Sequence, residues 1–372
     1  MATEALDHSR MDTALGLARR GLGQTWPNPS VGCVIGRGDR VLGRGHTQPG
    51  GRPHAEQVAL AQARALWGAE ALVGATAWIS LEPCAHHGRT PPCADALIGS
   101  GISRVVIAMR DPDPRVDGRG IARLEAAGVS VREGVREAEA AMLQAGFIAR
   151  LARGRPWLTL KLATTLDGRI ATARGESRWI TGAAARARVH LMRAEADAVL
   201  IGRGTAIADD PLLDVRLPGF EGRLPVRVVM DADLSISADS RLMRSIARQP
   251  LWLLHAPETD PMRAAALQAH GARLVSVSRG DEGGLDATVA LDALGALGLT
   301  RVLCEGGATL AGALVRADLV DEIAWISAGR LIGADGLAAM GALGLDALAD
   351  TPVFRLVDTE QLGADVLSLW RR

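Results

Sequence analysis

One histidine, one glutamate and two cysteines have the types and the spacing of a catalytic zinc site. His54 and Glu56 are separated by a single residue, and Cys84 and Cys93 follow further along the chain. One imidazole and two thiolates would bind Zn²⁺ at three corners and leave the fourth for water, which distinguishes catalytic from structural zinc. Bound zinc lowers the pKa of that water to about 7, and Glu56 is placed to take and return its proton.

The order of these residues indicates the class of zinc enzyme. A His-x-Glu motif followed by Pro-Cys-x-x-Cys is typical of zinc deaminases, and this chain keeps the order but places eight residues between Cys84 and Cys93. An inserted loop must therefore return the chain to the metal. Paired cysteines are more often buried apolar residues, or a disulfide in a secreted protein. Cys33 and Cys304 lie in apolar runs and are predicted to be such buried strand residues.

Composition excludes several classes of partner. Lys plus Arg equals Asp plus Glu at 42 each, so no net field attracts nucleic acid or an anionic membrane. No apolar stretch reaches the ~18 residues needed to span a bilayer. Four cysteines and an N-terminus without an apolar signal segment predict a soluble protein of the reducing cytoplasm. We expect neither a nucleic-acid nor a membrane partner.

The first part of the chain alternates predicted helices and strands. The predicted helices span residues 9–22, 54–67, 93–98, 118–127 and about 135–152, and the predicted strands span residues 31–35, 40–46, 75–81, 104–109 and 129–131. Such alternation predicts a sheet with helices on both faces. The zinc ligands would then lie at helix N-termini along one edge of the sheet.

A length of 372 residues suggests two domains. The stretch 153–156 (RGRP) is the predicted boundary, which gives domains of residues 1–153 and 156–372. The sequence of the second domain also predicts an α/β pattern. Its predicted helix spans 183–196, and its predicted strands span 157–163, 198–201, 226–230, 251–254, 272–277, 301–304 and 322–326. A Gly-Gly pair at 306–307 follows one of these strands and begins a helix. Such a pair suits phosphate binding, although most are only turns.

Short stretches in both halves resemble the bifunctional riboflavin-biosynthesis deaminase/reductase family. They are 27–32 (PNPSVG) and 81–93 (LEPCAHHGRTPPC) in the first half, and 161–169 (KLATTLDGR), 175–181 (GESRWIT), 202–205 (GRGT), 208–211 (ADDP) and 305–307 (EGG) in the second. The resemblance implies a cytidine-deaminase-like α/β/α domain followed by a dihydrofolate-reductase-like α/β domain, with Zn²⁺ and NADPH as cofactors. It weakens over about 221–300.

The resemblance also assigns contacts residue by residue. In the first domain it implies substrate contacts at Asn28, His86 and Arg89. In the second domain it implies substrate contacts at Lys161, Ser177, Arg193, Leu213, Arg216 and Glu305. It implies NADPH contacts at Ala163, Trp179, Thr205, Asp209, Gly307, Ala308, Thr309 and Leu310. Arginine suits a ribose phosphate because its guanidinium binds phosphate in a bidentate way, although either arginine could be an ordinary surface residue. Lys161 is the only lysine among 42 basic residues.

The resemblance therefore implies two reactions on one phosphorylated pyrimidine. The first domain would remove the 2-amino group of 2,5-diamino-6-ribosylamino-4(3H)-pyrimidinone 5′-phosphate by hydrolysis, and the second would transfer hydride from NADPH to the ribosyl C1′. We also expect a homo-oligomer.

Two alternative functions remain possible from the sequence alone. A deaminase that edits nucleic acid would need basic grooves and stacking rings, but the chain has 3% aromatic residues and no Tyr. A zinc-stabilised scaffold without activity would have no use for the Glu56 carboxylate.

Overall fold

The computed structural model describes residues 2–85, 91–281 and 283–372, and these residues form two compact units. The first unit spans residues 1–153 and the second spans residues 154–372. Each unit contains its own large sheet, so the α/β class is confirmed in both. Among the described residues, no helix is both long enough and apolar enough to cross a bilayer.

The first unit is a five-stranded sheet with helices. Its helices are α1 (Ala2–Arg19), α2 (Ala55–Trp67), α3 (Cys93–Ile98), α4 (Arg119–Ala126), α5 (Glu137–Leu143) and α6 (Ala145–Arg153). Its strands are β1 (Gly32–Arg37), β2 (Arg40–His46), β3 (Thr76–Ile79), β4 (Arg104–Ile107) and β5 (Ser130–Arg132). The strand order is β2-β1-β3-β4-β5; β3, β4 and β5 are parallel, and β1 is antiparallel to both of its neighbours.

Glycines in the β1–β2 hairpin allow helices to pack on both faces of this sheet. A Cβ on Gly45 would lie 2.2 Å from the Ala55 carbonyl oxygen of α2, and one on Gly32 would lie 1.9 Å from the Ala14 carbonyl oxygen of α1. Gly45 is opposite Cys33, the residue next to Gly32, and successive residues of a strand point to opposite faces. The two helices therefore lie on opposite faces, as the alternating pattern predicts.

The second unit is built on a nine-stranded sheet. Its strands are β6 (Trp157–Thr165), β7 (Arg169–Ala171), β8 (Ala198–Gly202), β9 (Val226–Met230), β10 (Leu251–His255), β11 (Arg273–Ser276), β12 (Arg301–Cys304), β13 (Glu322–Ala328), β14 (Leu337–Ala338), β15 (Arg355–Leu362) and β16 (Asp365–Arg371). Its helices are α7 (Ala183–Glu195), α8 (Arg203–Asp209), α9 (Arg241–Arg244), α10 (Pro261–Ala269), α11 (Ala287–Ala296) and α12 (Ala308–Arg316).

The strand order of this sheet brings distant parts of the chain to one edge. The order is β11-β10-β9-β8-β12-β6-β13-β16-β15, and the first seven strands are parallel. Strands β15 and β16 close the sheet as an antiparallel hairpin. A separate two-stranded sheet pairs β7 with β14. Since parallel strands end at the same edge, the segments after β8 and β12 lie side by side, which is where α/β ligand sites form.

Most predicted elements are present, and several differ in their bounds. The first helix begins at Ala2 rather than residue 9 and ends at Arg19, and the predicted helix over 135–152 is two helices, α5 and α6, which meet at Gln144. Gln144 is buried and its side-chain amide donates to the Ser30 carbonyl. His54 is the residue before α2 rather than part of its first turn. The hairpin of β15 and β16 was missed because β15 is almost entirely exposed, so no buried face gives it an alternating pattern.

Candidate active sites

The structure brings the three predicted zinc ligands together in the first unit. His54 is the residue before α2, Cys93 is the first residue of α3, and Cys84 lies in the loop after β3. Their ligand atoms all lie within 4.8 Å of one another; the His54 Nδ1 is 3.3 Å from Cys93 Sγ and 3.7 Å from Cys84 Sγ. One nitrogen and two sulfurs at this separation fit the tetrahedral ligand set that zinc prefers.

The two thiols differ strongly in acidity. The bond from the Cys93 thiol lowers the pKa of Cys84 to about 4, and the same bond raises the pKa of Cys93. The Cys93 backbone N–H also donates to Cys84 Sγ at 3.3 Å. Zinc binds thiolates rather than thiols, and the lowered pKa of Cys84 favours its thiolate form. By contrast, Cys33 and Cys304 are fully buried strand residues, as predicted, and burial raises the pKa of Cys304 to about 12.

Glu56 is a buried carboxyl beside this cluster. It lies in the first turn of α2, two residues after His54, and its residue surface is 3% exposed. Burial raises the pKa of Glu56 to about 7, with a further increase from the Cys84 charge. A carboxyl with a pKa near neutrality can both accept and return a proton. This is the property that a general acid and base at this position requires.

The predicted substrate contacts of the first unit are placed only in part. The Asn28 side chain packs against Gly51, three residues before His54, because a Cβ on Gly51 would lie 2.0 Å from Asn28 Nδ2. Asn28 therefore lies next to the segment that leads into the zinc cluster. The other two contacts, His86 and Arg89, lie outside the described residues, and so does His87.

In the second unit, three predicted substrate residues form one buried charge cluster. Leu160 is opposite Cys304 in the pairing of β6 with β12, so Lys161 and Glu305 are neighbours where β12 ends. Lys161 Nζ lies 3.8 Å from Glu305 Oε2. Arg193, on α7, donates from Nε and Nη2 to both Glu305 oxygens at 2.5 and 2.9 Å. All three side chains are less than a fifth exposed.

This cluster holds the Glu305 carboxylate charged. Burial by itself raises the pKa of Glu305, but the charge of Arg193, its hydrogen bonds and the charge of Lys161 outweigh burial and lower the pKa to about 2. Burial lowers the pKa of Lys161, and Glu305 opposes that change. The site thus contains a fixed anion between two cations at the edge where the strands end.

The two predicted phosphate arginines differ in their freedom to bind. Arg193 uses Nε and Nη2 on Glu305, and Nη1 donates to the Asp214 carbonyl at 3.0 Å. Arg216 has a side chain that is 58% exposed and pairs with Asp214 at 3.1 Å. Arg216 is therefore the better placed of the two to meet a phosphate. The Leu213 side chain is buried, so any contact of Leu213 with substrate would be through its backbone.

The predicted NADPH contacts lie around the ends of β6, β8 and β12. The Gly307 N–H donates to Thr205 Oγ1 at 3.1 Å, which joins the loop before α12 to the first turn of α8. Gly307 precedes α12 without a side-chain cap, so Ala308, Thr309 and Leu310 form a first turn whose N–H groups have no partner within the helix.

The remaining predicted contacts of the second unit are more dispersed. Ala163 is half-buried on β6, and Asp209 is the last residue of α8, with its carbonyl bonded to Arg178 Nη2 at 2.8 Å. Trp179 is 61% exposed, with the Arg186 guanidinium 4.6 Å from its ring centroid. Ser177 is half-buried nearby and accepts a backbone hydrogen bond from Ile180.

Comparison with known proteins accounts for both sites. Residues 156–368 match the family described as the RibD C-terminal domain, and residues 5–109 match the cytidine and deoxycytidylate deaminase zinc-binding region. The riboflavin biosynthesis protein RibD of Escherichia coli is 40% identical, over 97% of this chain and 98% of that protein. The RibD of Aquifex aeolicus is 36% identical, over 99% of each chain. The chain belongs to the RibD family.

Solved structures of RibD proteins agree over the full length. A structure of Acinetobacter baumannii RibD superposes with a TM-score of 0.88 and 36% identity, covering 100% of this chain and 99% of that one. A Thermotoga maritima protein titled a diaminohydroxyphosphoribosylaminopyrimidine deaminase/5-amino-6-(5-phosphoribosylamino)uracil reductase superposes with a TM-score of 0.86 and 34% identity over 99% of each chain. This RibD family member is thus a bifunctional deaminase and reductase of riboflavin biosynthesis, and its cofactors are zinc and NADPH.

Glu82 is a buried residue of the RibD deaminase site to which the sequence assigned no role. Its carboxylate accepts four backbone N–H groups, from Asp111, Gly118, Gly120 and Ile121, at 2.8 to 3.2 Å. A Cβ on Gly120 would lie 2.0 Å from the Pro83 carbonyl oxygen, so the start of α4 packs directly on the backbone next to Cys84. Glu82 therefore fixes the loop that carries this ligand. Its place two residues before Cys84 was the available signal.

Replacing Glu82 with Gln should weaken zinc binding by about 10- to 100-fold, the usual effect of losing a residue that orients a metal ligand. An amide has one acceptor oxygen where the carboxylate has two, so two of the four N–H groups lose their partner. Zinc transfer to a chromogenic chelator measures the effect. Glu125→Gln, on the exposed side of α4, is the matched control. Equal rates of zinc loss from both variants would show that Glu82 does not position Cys84.

Proposed function

We propose that residues 1–153 deaminate 2,5-diamino-6-ribosylamino-4(3H)-pyrimidinone 5′-phosphate and that residues 154–372 reduce the product to 5-amino-6-ribitylaminouracil 5′-phosphate. The strongest support is that one chain carries a His, Cys, Cys cluster with a buried Glu56 in one unit and the Lys161–Glu305–Arg193 cluster in the other. Each is the kind of site that one of the two reactions needs.

In the deamination, the chain's residues hold and move a proton. His54, Cys84 and Cys93 would hold zinc, which would supply a water whose pKa is lowered to about 7. Glu56, with a pKa near 7, accepts the proton that this water loses. It would return this proton to the ring nitrogen as the water oxygen bonds the carbon, and would then pass the second proton of that water to the amino group, which leaves as ammonia. The Asn28 amide, which can donate and accept, would orient the pyrimidine edge.

In the reduction, the chain's residues bind and orient. NADPH held at this site would supply the hydride for the ribosyl C1′, while the bond between C1′ and the ring oxygen would break and a proton from water would go to that oxygen. The uncapped N-terminus of α12 at Gly307 suits the cofactor's diphosphate. Arg216 would bind the 5′-phosphate of the substrate, and the fixed charges of Lys161 and Glu305 would orient its polar groups.

We also propose that the protein is cytoplasmic and forms a homo-oligomer. The cysteines are all free thiols, and the zinc ligands include two of them, which suits a reducing compartment. Between residues 331 and 356, large apolar side chains are exposed, namely Leu331, Leu337, Leu345, Leu348, Val353 and Leu356. Exposed apolar groups of this kind favour association, and light scattering of the purified protein would measure the mass of the assembly.

Mass spectrometry of the diaminopyrimidine ribosyl phosphate tests both activities. We expect exchange of one amino group for oxygen without NADPH, and a further gain of two hydrogens only when NADPH is added. Reduction of the diamino compound before exchange would reverse the proposed order. A zinc-loaded protein that leaves the amino group in place would contradict the deaminase assignment.

A further inference from the structure

The backbone from Leu213 to Arg216 is held by three side chains, two from helix α7 and one from the segment before β10. The Leu213 carbonyl accepts from Gln249 Nε2 at 3.1 Å, and the Asp214 carbonyl accepts from Arg193 Nη1 at 3.0 Å. The Arg216 N–H donates to His190 Nδ1 at 3.3 Å. We call residues 213–216 the 213–216 loop. Its path is therefore set by contacts outside itself.

The conformation of this loop needs such contacts. Leu213 has a φ of 53°, which lies in the left-handed region that a bulky residue rarely adopts. A residue persists there only where its surroundings hold it. The Leu213 side chain is buried in an apolar cluster, and Gln249 fixes its carbonyl from the other side.

Gln249 is itself rigidly placed. The residue is 3% exposed, and its amide also donates to the Pro225 carbonyl at 2.8 Å, at the start of β9. The backbone carbonyl of Gln249 accepts a hydrogen bond from Nη2 of the buried Arg227 at 2.5 Å. The Gln249 amide thus joins the loop to the sheet through groups that are all enclosed by the fold.

His190 acts on the other end of the loop. It is 9% exposed on α7, one turn before Arg193. Donation from the Arg216 N–H requires an unprotonated Nδ1, and burial, together with the charges of Arg193 and Arg216, lowers the pKa of His190. The neutral ring therefore suits this contact. The Asp214 carbonyl lies 3.1 Å from the same Nδ1, so His190 contacts the loop at two backbone groups, with its donor or acceptor role set by the ring tautomer.

We propose that His190 and Gln249 are positioning residues of the reductase, which hold the 213–216 loop so that the exposed Arg216 guanidinium meets the 5′-phosphate of the substrate. This inference rests on the proposed function. Both side chains are buried in the fold. Both act through the backbone that carries Arg216, and their effect should depend on whether a phosphate is present.

Steady-state NADPH oxidation with variants His190→Leu and Gln249→Met tests the proposal. Each removes the hydrogen bond and keeps most of the volume. Loss of one such bond next to a buried polar group should raise KM for the phosphorylated substrate about 10- to 100-fold. We expect kcat to change by less than about threefold, because the reacting groups are untouched. His190→Asn, whose amide oxygen can accept from the Arg216 N–H, should restore most of the affinity.

The same kinetics with dephosphorylated substrate separate positioning from general damage. The variants and the wild type should then be equal within about threefold, because no phosphate is left for Arg216 to bind. The ribityl product, with and without its phosphate, gives the same comparison as an inhibitor. An equal loss with both forms, or a fall in kcat at constant KM, overturns the proposal.

Controls within the chain complete the design. Gln268→Met and His270→Leu, both exposed at the end of α10, should leave KM unchanged. Deamination by the same preparations reports that the protein is folded. In an Arg216→Met background, His190→Leu should add nothing further; full additivity contradicts the proposal even if the single variant is unstable. Failure of the proposed function is distinct, since the wild type itself would then not oxidise NADPH.

Discussion

A Glu56→Gln variant is expected to lose deamination by about 10²- to 10⁴-fold, the range that general acid–base catalysis contributes. Glutamine has the same shape, so the buried site beside His54 keeps its packing. Its amide cannot accept the proton of the attacking water or deliver it to the leaving amine. Ammonia release from the diamino substrate, measured over hours, gives the residual rate. The effect should be on kcat more than on KM, because the proton is moved only during reaction.

Two readouts show whether this loss is specific. Zinc content should stay at one ion per chain, since Glu56 is not one of the three ligands, and reduction of the deaminated intermediate should match the wild type. Glu70→Gln, exposed after α2, is the matched control for the charge. A Glu56→Gln protein that still deaminates within tenfold of the wild type would assign the proton to a different group.

The deaminase site could be predicted from the sequence because each ligand lies at the boundary of a regular element. His54 and Cys93 adjoin helices α2 and α3, and Cys84 follows strand β3. The apolar spacing of these elements is strong, and parallel strands bring their ends to one edge. The sequence motif therefore predicted which residues lie together at the zinc cluster. Glu82 was missed because its four partners lie about 30 to 40 positions further along the chain.

The reductase site could be predicted only as a set of residues. Arg193 and Glu305 are 112 positions apart, and nothing local to α7 indicates which carboxylate its guanidinium meets. Because 41 of the 42 basic residues are arginines, residue type could not separate a phosphate ligand from a buried partner. In the structure the two arginines differ in exposure, since Arg216 is open and Arg193 is enclosed.

Exposure also explains why strand β15 was not predicted. Strand β15 has a single buried residue, Leu362, so its pairing depends on backbone bonds to β16 rather than on a buried face. The break between α5 and α6 falls at Gln144, whose side chain bonds the Ser30 carbonyl 114 positions away. Hydrophobic periodicity indicates burial on one face, so it predicts neither an exposed strand such as β15 nor the break at Gln144.

The largest expected effect in the reductase follows from Glu305. Replacing it with Gln leaves the buried cations Lys161 and Arg193 without their shared counter-charge, and breaking a buried ion pair in this way costs about 3–5 kcal/mol. We expect the second unit to unfold at lower urea concentration, followed by circular dichroism. We also expect NADPH oxidation to fall by at least about 100-fold, because each loss of about 1.4 kcal/mol in transition-state stabilisation lowers the rate about tenfold. Deamination should be retained below the new transition.

The pH dependence of the difference in unfolding free energy between the wild type and Glu305→Gln gives a sharper test. The pKa of Glu305 is lowered to about 2 from the ordinary value of 4.5, so the folded state favours the charged carboxylate. Its contribution, about 3 kcal/mol for such a shift, is fully present above pH 4.5 and is lost as the pH falls towards 2. The gap in unfolding free energy between wild type and Glu305→Gln should therefore narrow below pH 4.5. Glu221→Gln, an exposed control, should show no gap at any pH, and a constant gap for Glu305→Gln would mean that packing rather than charge holds the cluster together.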